Sequence, residues 1–428
     1  MYGLQKIFDQ TIEKHIQEIQ KNLVTQKFKE YGIVLNKRQL ALVLSSVSGE
    51  YQLDLTTAQI NAARKATGRD SFTDIRIDFT QHEIDEATQK FSSLLSGAIP
   101  KSVDETANSL VRLLKKEAHA QWKFSAKMGA AFQRKLERIW KKPLQLFEIY
   151  ITIIKHAAIR FAEVYVPSSE EEESVYDVVI KLHARACQIA LEVAELLKSG
   201  FADGAHARWR TLHEVVTVAV FIQKHGADCA EKYLLHEAIE TYKAAEQYQQ
   251  YCAIIGYKAF NKRTMKRFRA EYEAAITRFG KSFKSQYGWA AVTLGNPSPT
   301  FADLEKTVGL DKLRPYYRMA SHNVHANAKG ITHRLGLIPW MDDRLDGPTE
   351  VGLADPLNGT SLSLLQITST FLPMMPSIDL LALNAVLLKL HKQIGEESVK
   401  SNRFTQDYYE RQLLALLKEA QEVAATYK

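Results

Sequence analysis

Apolar residues recur at intervals of three and four along most of this 428-residue chain, which is the spacing of helices that pack one face. After residue 174 the pattern is regular and predicts helices near 175–199, 203–224, 227–250, 261–283, 315–329, 361–393 and 405–427. Glycine and proline, with 20 and 11 residues, are few for this length. The chain is therefore predicted to be all-α, with a helical bundle in its C-terminal part.

The preceding part of the chain also shows helical spacing. A helix at 85–95 is expected to end at Gly97 and Pro100, and further helices are expected at 103–142 and 143–166. The clearest interruption is VPSSEEEES at 166–174, where Pro, Ser and four consecutive Glu break the pattern. The sequence thus predicts two domains: a basic N-terminal helical region, 1–166, and a C-terminal helical bundle, 174–428. Within the bundle, 336–359 is predicted to be a long loop.

Charge is distributed unevenly between these two regions. Residues 1–166 contain 25 Lys and Arg against 18 Asp and Glu, whereas residues 167–428 contain 31 of each. The residues predicted to bind nucleic acid lie in one basic, aromatic-rich helix: Lys115, Lys116, Lys123, Lys127, Arg134, Lys135 and Arg138. This helix fits either a solvated surface with an apolar stripe or a surface that binds nucleic-acid phosphates.

Cysteine usage and the N-terminus bear on the compartment. Cys187, Cys229 and Cys252 are far apart and form no CxxC motif, so we expect a reduced, cytoplasmic protein with no structural zinc and no other cofactor. The N-terminus lacks the apolar core of a signal peptide. The most apolar run, 362–390, is broken by prolines and is expected to form buried helices, so no membrane partner is expected.

The richest set of reactive side chains lies in 314–336, RPYYRMASHNVHANAKGITHRLG. If Pro315 starts a helix, one face carries a small, mostly apolar packing stripe formed by Tyr317, Ser321, Val324 and Ala328. The next face carries Arg318, His322, His325 and Lys329 at the same spacing. One permanent cation and two imidazoles are therefore predicted to stack beside the packed stripe.

A second helix, 203–224, is almost wholly apolar after Glu214 and is expected to lie centrally in the bundle. Arg210 and Glu214 fall on one face of it, and both would be costly to bury unpaired. They are expected either to pair with each other or with the charged residues of the 315–329 helix, or to orient a site shared with Arg318, His322 and His325.

Two stretches resemble signatures of known families. The pattern YR-x2-S-x2-VHA, at 317–326, and GFADGAHARWRTLHE, at 200–214, resemble an uncharacterised bacterial domain family of unknown function. Both are also similar to the HEPN superfamily of helical ribonucleases and defence toxins, in which four to six residues lie between an Arg and the His that follows it. Six residues separate Arg318 from His325, and Met319 stands where many HEPN enzymes have a polar residue. The resemblance spans roughly 174–328 and implies a metal-independent site assembled in a homodimer.

Three functions remain open for these residues. The first is RNA cleavage without metal, with His325 as acid or base, Arg318 stabilising the phosphate, His322 assisting, and Arg210 and Glu214 in support. The second is a metal-dependent hydrolase with His322, His325 and Glu214 as ligands. The third is no catalysis, with a polar network that fixes the helices or binds a nucleotide or protein partner.

The leading expectation is a HEPN-like endoribonuclease that acts on RNA as a bacterial toxin or antiviral defence effector. The alternative is a non-catalytic regulatory module that binds nucleic acid or protein in a defence or toxin–antitoxin pair.

Overall fold

The computed structural model describes residues 2–45, 53–69, 78–338 and 345–426. These residues form α-helices and short 3₁₀ turns and contain no strand, so the predicted all-α class is confirmed. The chain divides into two compact units, Met1–Ser125 and Ala126–Lys428. None of the described helices is both long enough and apolar enough to cross a lipid bilayer.

The first unit is small. Its helices are α1 (Tyr2–Glu30), α2 (Lys37–Ser45), α3 (Thr57–Thr67) and the first part of α4 (Gln81–Val164). Phe28, Ile33, Val43 and Ala63 are buried together in its core. Helix α3 begins where the Thr56 side chain accepts a hydrogen bond from the Gln59 backbone while the Gln59 side chain binds the Thr56 N–H, a reciprocal cap that satisfies two otherwise orphaned donors.

The second unit contains the remaining helices. They are α5 (Glu170–Lys198), α6 (Ala202–His225), α7 (Ala227–Leu235), α8 (Glu237–Tyr251), α9 (Lys262–Phe279), α10 (Ala291–Leu294), α11 (Phe301–Val308), α12 (Arg314–Val324), α13 (Ala328–Thr332), α14 (Ala354–Thr368), α15 (Phe371–Met374) and α16 (Ile378–Thr426). The main core lies between α4, α5, α6, α14 and α16, and α6 is central in it, as the sequence predicts. The three cysteines are buried and unpaired.

The acidic run after the predicted boundary is the first turn of a helix. The Ser169 side chain accepts a hydrogen bond from the Glu172 N–H, and Glu170–Glu173 form the first turn of α5. Carboxylates are favourable there because unpaired N–H groups give the helix start a partial positive charge. Division of the chain at 166–174 stays a prediction, since α4 ends nearby at Val164 but contributes Leu136, Trp140 and Phe147 to the core of the second unit.

The structure differs from the expected helix bounds in several places, and two of them concern the longest helices. Helix α4 is continuous through Pro100 and Pro143, so the predicted breaks there are wrong. Each proline removes one backbone donor, which a helix of 84 residues can lose without ending. In the C-terminal part, α14 ends at Thr368 and α16 is one helix, whereas 361–393 and 405–427 were expected. Of the predicted loop at 336–359, residues 339–344 lie outside the described residues, and α14 begins at Ala354.

Candidate functional site

Helices α6 and α12 pack against each other and meet through one partly buried polar network. The Arg210 guanidinium donates from Nε to Ser321 Oγ at 3.0 Å and from Nη2 to Tyr317 Oη at 2.6 Å. Its Nη2 also lies 3.1 Å from Glu214 Oε1 on the next turn of α6. The two stretches that resemble family signatures are therefore joined by a direct side-chain connection.

Tyr317 is the centre of this network. Its hydroxyl accepts from Arg210 and donates to Glu214 Oε1 at 2.5 Å, and the Arg210 Cζ lies 4.6 Å from the Tyr317 ring centroid. Burial, and then the hydrogen bond to Glu214, raise the pKa of Tyr317 well above its usual range. The phenol therefore stays protonated at neutral pH and can donate to the carboxylate continuously.

A second ion pair lies beside Tyr317. Glu305 of α11 is fully buried and contacts both His213 of α6, at 2.9 Å from Nε2 to Oε1, and the Arg314 guanidinium. Arg314 also lies over the Tyr317 ring, 5.1 Å from its centroid. A buried carboxylate needs such partners, because its desolvation is otherwise uncompensated. These contacts fix α11 and α12 against α6.

The network opens onto a cleft of about 530 Å³. Its lining residues are Arg210, Glu214, Gln286, Tyr287, Ser298, Pro299, Thr300, Phe301 and Tyr317. Three of these contribute aromatic rings, and Phe301 lies 4.9 Å from Tyr317 between ring centroids. Burial, and then the negative charge of Glu214, raise the pKa of Tyr287 to about 12. Its hydroxyl has no hydrogen-bond partner among the described residues, so it is free to bind a ligand.

Only part of the predicted site lies in this cleft. Arg210 and Glu214 line it and pair with each other, which was one of the two arrangements expected for them. Arg318 and His325 are exposed and, within the described part of the chain, their side chains have no hydrogen-bond or ionic partner. The His322 imidazole lies 3.0 Å from Asn327 Nδ2. These three residues are not among those that line the cleft.

The expected stack of Arg318, His322, His325 and Lys329 on one helix face is wrong because α12 ends too early. It ends at Val324, and His325 has an extended backbone with φ −106° and ψ 137°. Asn327 then begins α13, its side chain accepting from the Gly330 N–H. Of the two faces predicted for α12, the small packing stripe supplies the network residues Tyr317 and Ser321, and the cationic face starting at Arg318 is turned to solvent.

The ligand set of the metal-dependent alternative is not brought together. Glu214 is bound by Arg210 and Tyr317 on α6 and α12, whereas His325 lies beyond the end of α12. Among described residues, no group of three His, Cys, Asp or Glu side chains is placed to hold a metal ion.

The basic residues of α4 are described separately in the two units. In the first unit Lys115, Lys116 and Lys123 are exposed. In the second unit Lys127, Arg134, Lys135 and Arg138 are exposed as well, but Lys135 forms an ion pair with Glu350. Burial would raise the pKa of Glu350, yet hydrogen bonds from Lys135 and Tyr409 outweigh burial and hold it below its usual range. Lys135 thus has a structural contact, and nucleic-acid binding by the set stays a prediction.

Four residues of the site were not identified as functional from sequence. The apolar period places Tyr317 in a packing stripe, and it does not mark Tyr287, Phe301 or Glu305 as functional. One signal was available for α11: Thr300 and Asp303 form a reciprocal cap, with Thr300 N donating to Asp303 Oδ2 at 2.8 Å. That cap predicts the helix that contains Phe301 and Glu305, although not its contact with α6.

One family model matches the part of the chain that contains the cleft. Residues 176–341 match the model of a family of unknown function, DUF5677. The match contains α6, α11 and α12, and so every residue of the cleft. The resemblance to an uncharacterised family is confirmed to that extent, and the match assigns no activity. Neither the curated proteins nor the solved structures contain a significant match to the chain.

Proposed function

We propose that the second unit is a non-catalytic regulatory module whose cleft binds a nucleotide. The observation that supports this most directly is the state of the polar residues in the cleft. Arg210, Glu214 and Tyr317 satisfy one another, as expected for groups that hold a binding surface in shape.

The size and lining of the cleft fit a planar, polar ligand. Its volume of about 530 Å³ lies within the range of roughly 300–1,000 Å³ typical of small-molecule sites. The partly exposed Tyr287 ring offers a face on which a nucleobase can stack, an interaction worth roughly 1–3 kcal/mol per base, and the buried rings of Phe301 and Tyr317 form part of the cleft wall. Tyr287 adds a neutral hydroxyl donor, and Arg210 Nη1, which bonds no described residue, adds a donor for phosphate.

Nucleotide binding can be tested by calorimetric titration of the full chain with each of the four common nucleoside monophosphates. Tyr287→Phe removes a hydroxyl that contacts no described residue, so the fold should be preserved, and affinity should fall about three- to tenfold for one lost hydrogen bond. Tyr316→Phe is the matched control, because Tyr316 is 49% exposed and does not line the cleft. Ser298→Trp should fill the cleft mouth and abolish binding.

The proposal fails if none of the four nucleotides binds to the parent protein. It also fails if the parent, Tyr287→Phe and Ser298→Trp proteins bind one of them with equal affinity, since binding would then lie elsewhere.

A second candidate, a HEPN-like endoribonuclease, is favoured by one observation: the side chains of Arg318 and His325 are exposed and have no polar partner among the described residues. A site assembled between two copies leaves its catalytic groups on the surface of each copy. In this proposal His325 transfers protons, Arg318 stabilises the phosphorane and His322 assists, in a cytoplasmic homodimer that cleaves RNA as a toxin or defence effector, with an antitoxin as a further partner. Arg210 and Glu214 act only by fixing α12.

RNA cleavage is tested by incubating the full chain with total RNA in EDTA, beside the His325→Ala and Arg318→Ala variants. Cleavage should fall by roughly 10²-fold or more in each variant. His333→Ala is the control, since His333 is also exposed and lies on the same segment. Equal cleavage by parent and His325→Ala proteins, or none by the parent protein, would count against this candidate.

A further inference from the structure

Helices α8 and α9 form a hairpin whose end is unusually apolar for a surface. We name residues 251–260 the α8–α9 tip. The exposed fractions of its large side chains are 81% for Ile254, 56% for Ile255 and 66% for Tyr257. Single exposed apolar residues are common, but a contiguous group of this kind marks a surface that another molecule covers.

The tip is held in place by its own hydrogen bonds. Gln249 binds the Phe260 backbone twice, donating from Nε2 to the carbonyl at 3.2 Å and accepting from the N–H at 2.6 Å. The Tyr248 hydroxyl donates to the Lys258 carbonyl at 3.0 Å. The Tyr257 N–H donates to the Cys252 carbonyl at 2.8 Å. These contacts stabilise a turn that presents Ile254 and Ile255 to solvent.

Cations follow the apolar residues of the tip along the chain, without any acidic residue among them. Between Glu246 and Glu271 the sequence has no Asp or Glu and six cations: Lys258, Lys262, Arg263, Lys266, Arg267 and Arg269. Arg267 and Arg269 pair with Glu271 and Glu273 on the following turn. The other four are exposed and have no ionic partner among the described residues. The tip is therefore an apolar end with a positively charged collar.

An anionic lipid surface matches both features. Headgroups of acidic lipids attract juxtamembrane cations, and isoleucine and tyrosine side chains gain by entering the boundary between headgroups and acyl chains. A nucleic acid would use the cations and the Tyr257 ring but would leave the Ile254 and Ile255 side chains in water. Contact of this depth needs no helix that crosses the bilayer.

We propose that the α8–α9 tip docks the protein on membranes that contain anionic phospholipids. Ile254, Ile255 and Tyr257 enter the interface, and Lys258, Lys262, Arg263 and Lys266 bind the headgroups. The docking is peripheral and reversible, because three short apolar side chains bury far less surface than a spanning helix.

The test is co-sedimentation of the full chain with two kinds of vesicle, phosphatidylcholine alone and equal parts phosphatidylcholine and phosphatidylserine. The parent protein should sediment only with the acidic vesicles, and salt should weaken the binding. Ile254→Asn/Ile255→Asn should lower the partition coefficient at least tenfold. Lys258→Gln/Lys262→Gln/Arg263→Gln should lower it roughly fivefold for each cation removed.

A matched control is Ile378→Asn/Leu381→Asn on α16, where the replaced side chains are 84% and 60% exposed. This control should bind as the parent does, and circular dichroism should show equal helix content in all four proteins. The proposal is overturned if the parent protein does not bind acidic vesicles. It is also overturned if the isoleucine variant binds them with the same partition coefficient as the control. Binding of a labelled RNA that only the cation variant loses, without vesicle binding, would assign the collar to nucleic acid instead.

Discussion

The Tyr317 hydroxyl joins α12 to two side chains of α6, since it bonds both Arg210 and Glu214. Tyr317→Phe removes one hydrogen-bond partner from each of these two charged groups, at a residue that is only 7% exposed. We expect the free energy of unfolding to fall by about 1–3 kcal/mol. Urea denaturation measures the change, and Tyr316→Phe, on the exposed neighbour, should alter it by less than about 0.5 kcal/mol. Equal effects of the two substitutions would contradict the role assigned to Tyr317.

Two buried histidines predict how stability depends on pH. Burial lowers the pKa of both His183 and His206 to about 4, from an ordinary value of 6.5. Between these values the unfolded chain binds protons that the folded chain does not, so stability is complete above pH 6.5 and falls as the pH decreases toward 4. Each histidine contributes a slope of up to about 1.4 kcal/mol per pH unit.

This pH dependence is measured by urea unfolding at a series of pH values. His206→Phe keeps a ring against Trp209, whose centroid lies 5.3 Å from that of His206, and removes the titrating group. In this variant the slope of the unfolding free energy against pH, below pH 6.5, should decrease by the contribution of about one bound proton. An unchanged slope would show that His206 is protonated in the folded state.

The site shows what residue patterns can and cannot predict. The pairing of Arg210 with Glu214 follows from their spacing of four on one helix, together with the cost of burying either alone. The partner across the interface does not follow, because the faces of α12 that meet α6 are set by tertiary packing. Periodicity ranked Tyr317 as a packing residue, and it is one, but its hydroxyl also completes the polar network.

At the scale of elements, the contact between α6 and α14 depends on the absence of a side chain. A Cβ at Gly359 would lie 2.8 Å from Trp209 Nε1, and Trp209 is 1% exposed and donates to Ser363 Oγ, so it cannot move aside freely. Gly359→Ala should therefore destabilise by about 1–3 kcal/mol, although alanine is the better helix former.

The matched control for this substitution is Gly129→Ala in α4. A Cβ there meets nothing within 4 Å, so only the backbone effect remains and stability should rise by about 0.5–1 kcal/mol. Thermal unfolding of both variants checks the sign of each change. Stabilisation by Gly359→Ala would mean that α14 does not pack so closely on Trp209.

Helix bounds were predictable where the apolar period runs without interruption. Helix α6, predicted at 203–224, spans Ala202–His225, and α9, predicted to start near 261, begins directly after its cap residue Asn261. The end of α12 was missed because the period continues through His325 and Lys329 into α13. Asn327 was the available signal, because asparagine is among the residues preferred at the N-cap of a helix, and Asn327 caps α13.

At the scale of the whole molecule, the fold class follows from the helical period and from the scarcity of glycine and proline. The extent of the compact units does not follow from these features. The acidic run at 166–174 indicates a boundary because it is polar, yet it begins α5, which packs in the same core as the last part of α4. Local composition reports solvent exposure, whereas a domain is defined by the contacts it buries.

Two fragments, 126–428 and 175–428, distinguish these boundaries. Trp140, Phe147, Tyr150 and Ile154 of α4 are fully buried in the second unit, and the Tyr150 hydroxyl donates to the Ser361 carbonyl at 3.0 Å. Each such side chain contributes about 1.5–3 kcal/mol by burial. Their combined loss is comparable with the whole stability of a typical domain, roughly 5–15 kcal/mol.

The fragment 126–428 should therefore unfold in one cooperative transition, as monitored by circular dichroism during heating. The fragment 175–428 exposes the surface that Trp140 and Phe147 cover, and it should aggregate or lose its cooperative transition. Both fragments retain all residues of the cleft, so any difference between them comes from residues 126–174. If 175–428 folds as cooperatively as 126–428, the polar boundary at 166–174 separates the domains after all, and the α4 contacts add little to the stability of the bundle.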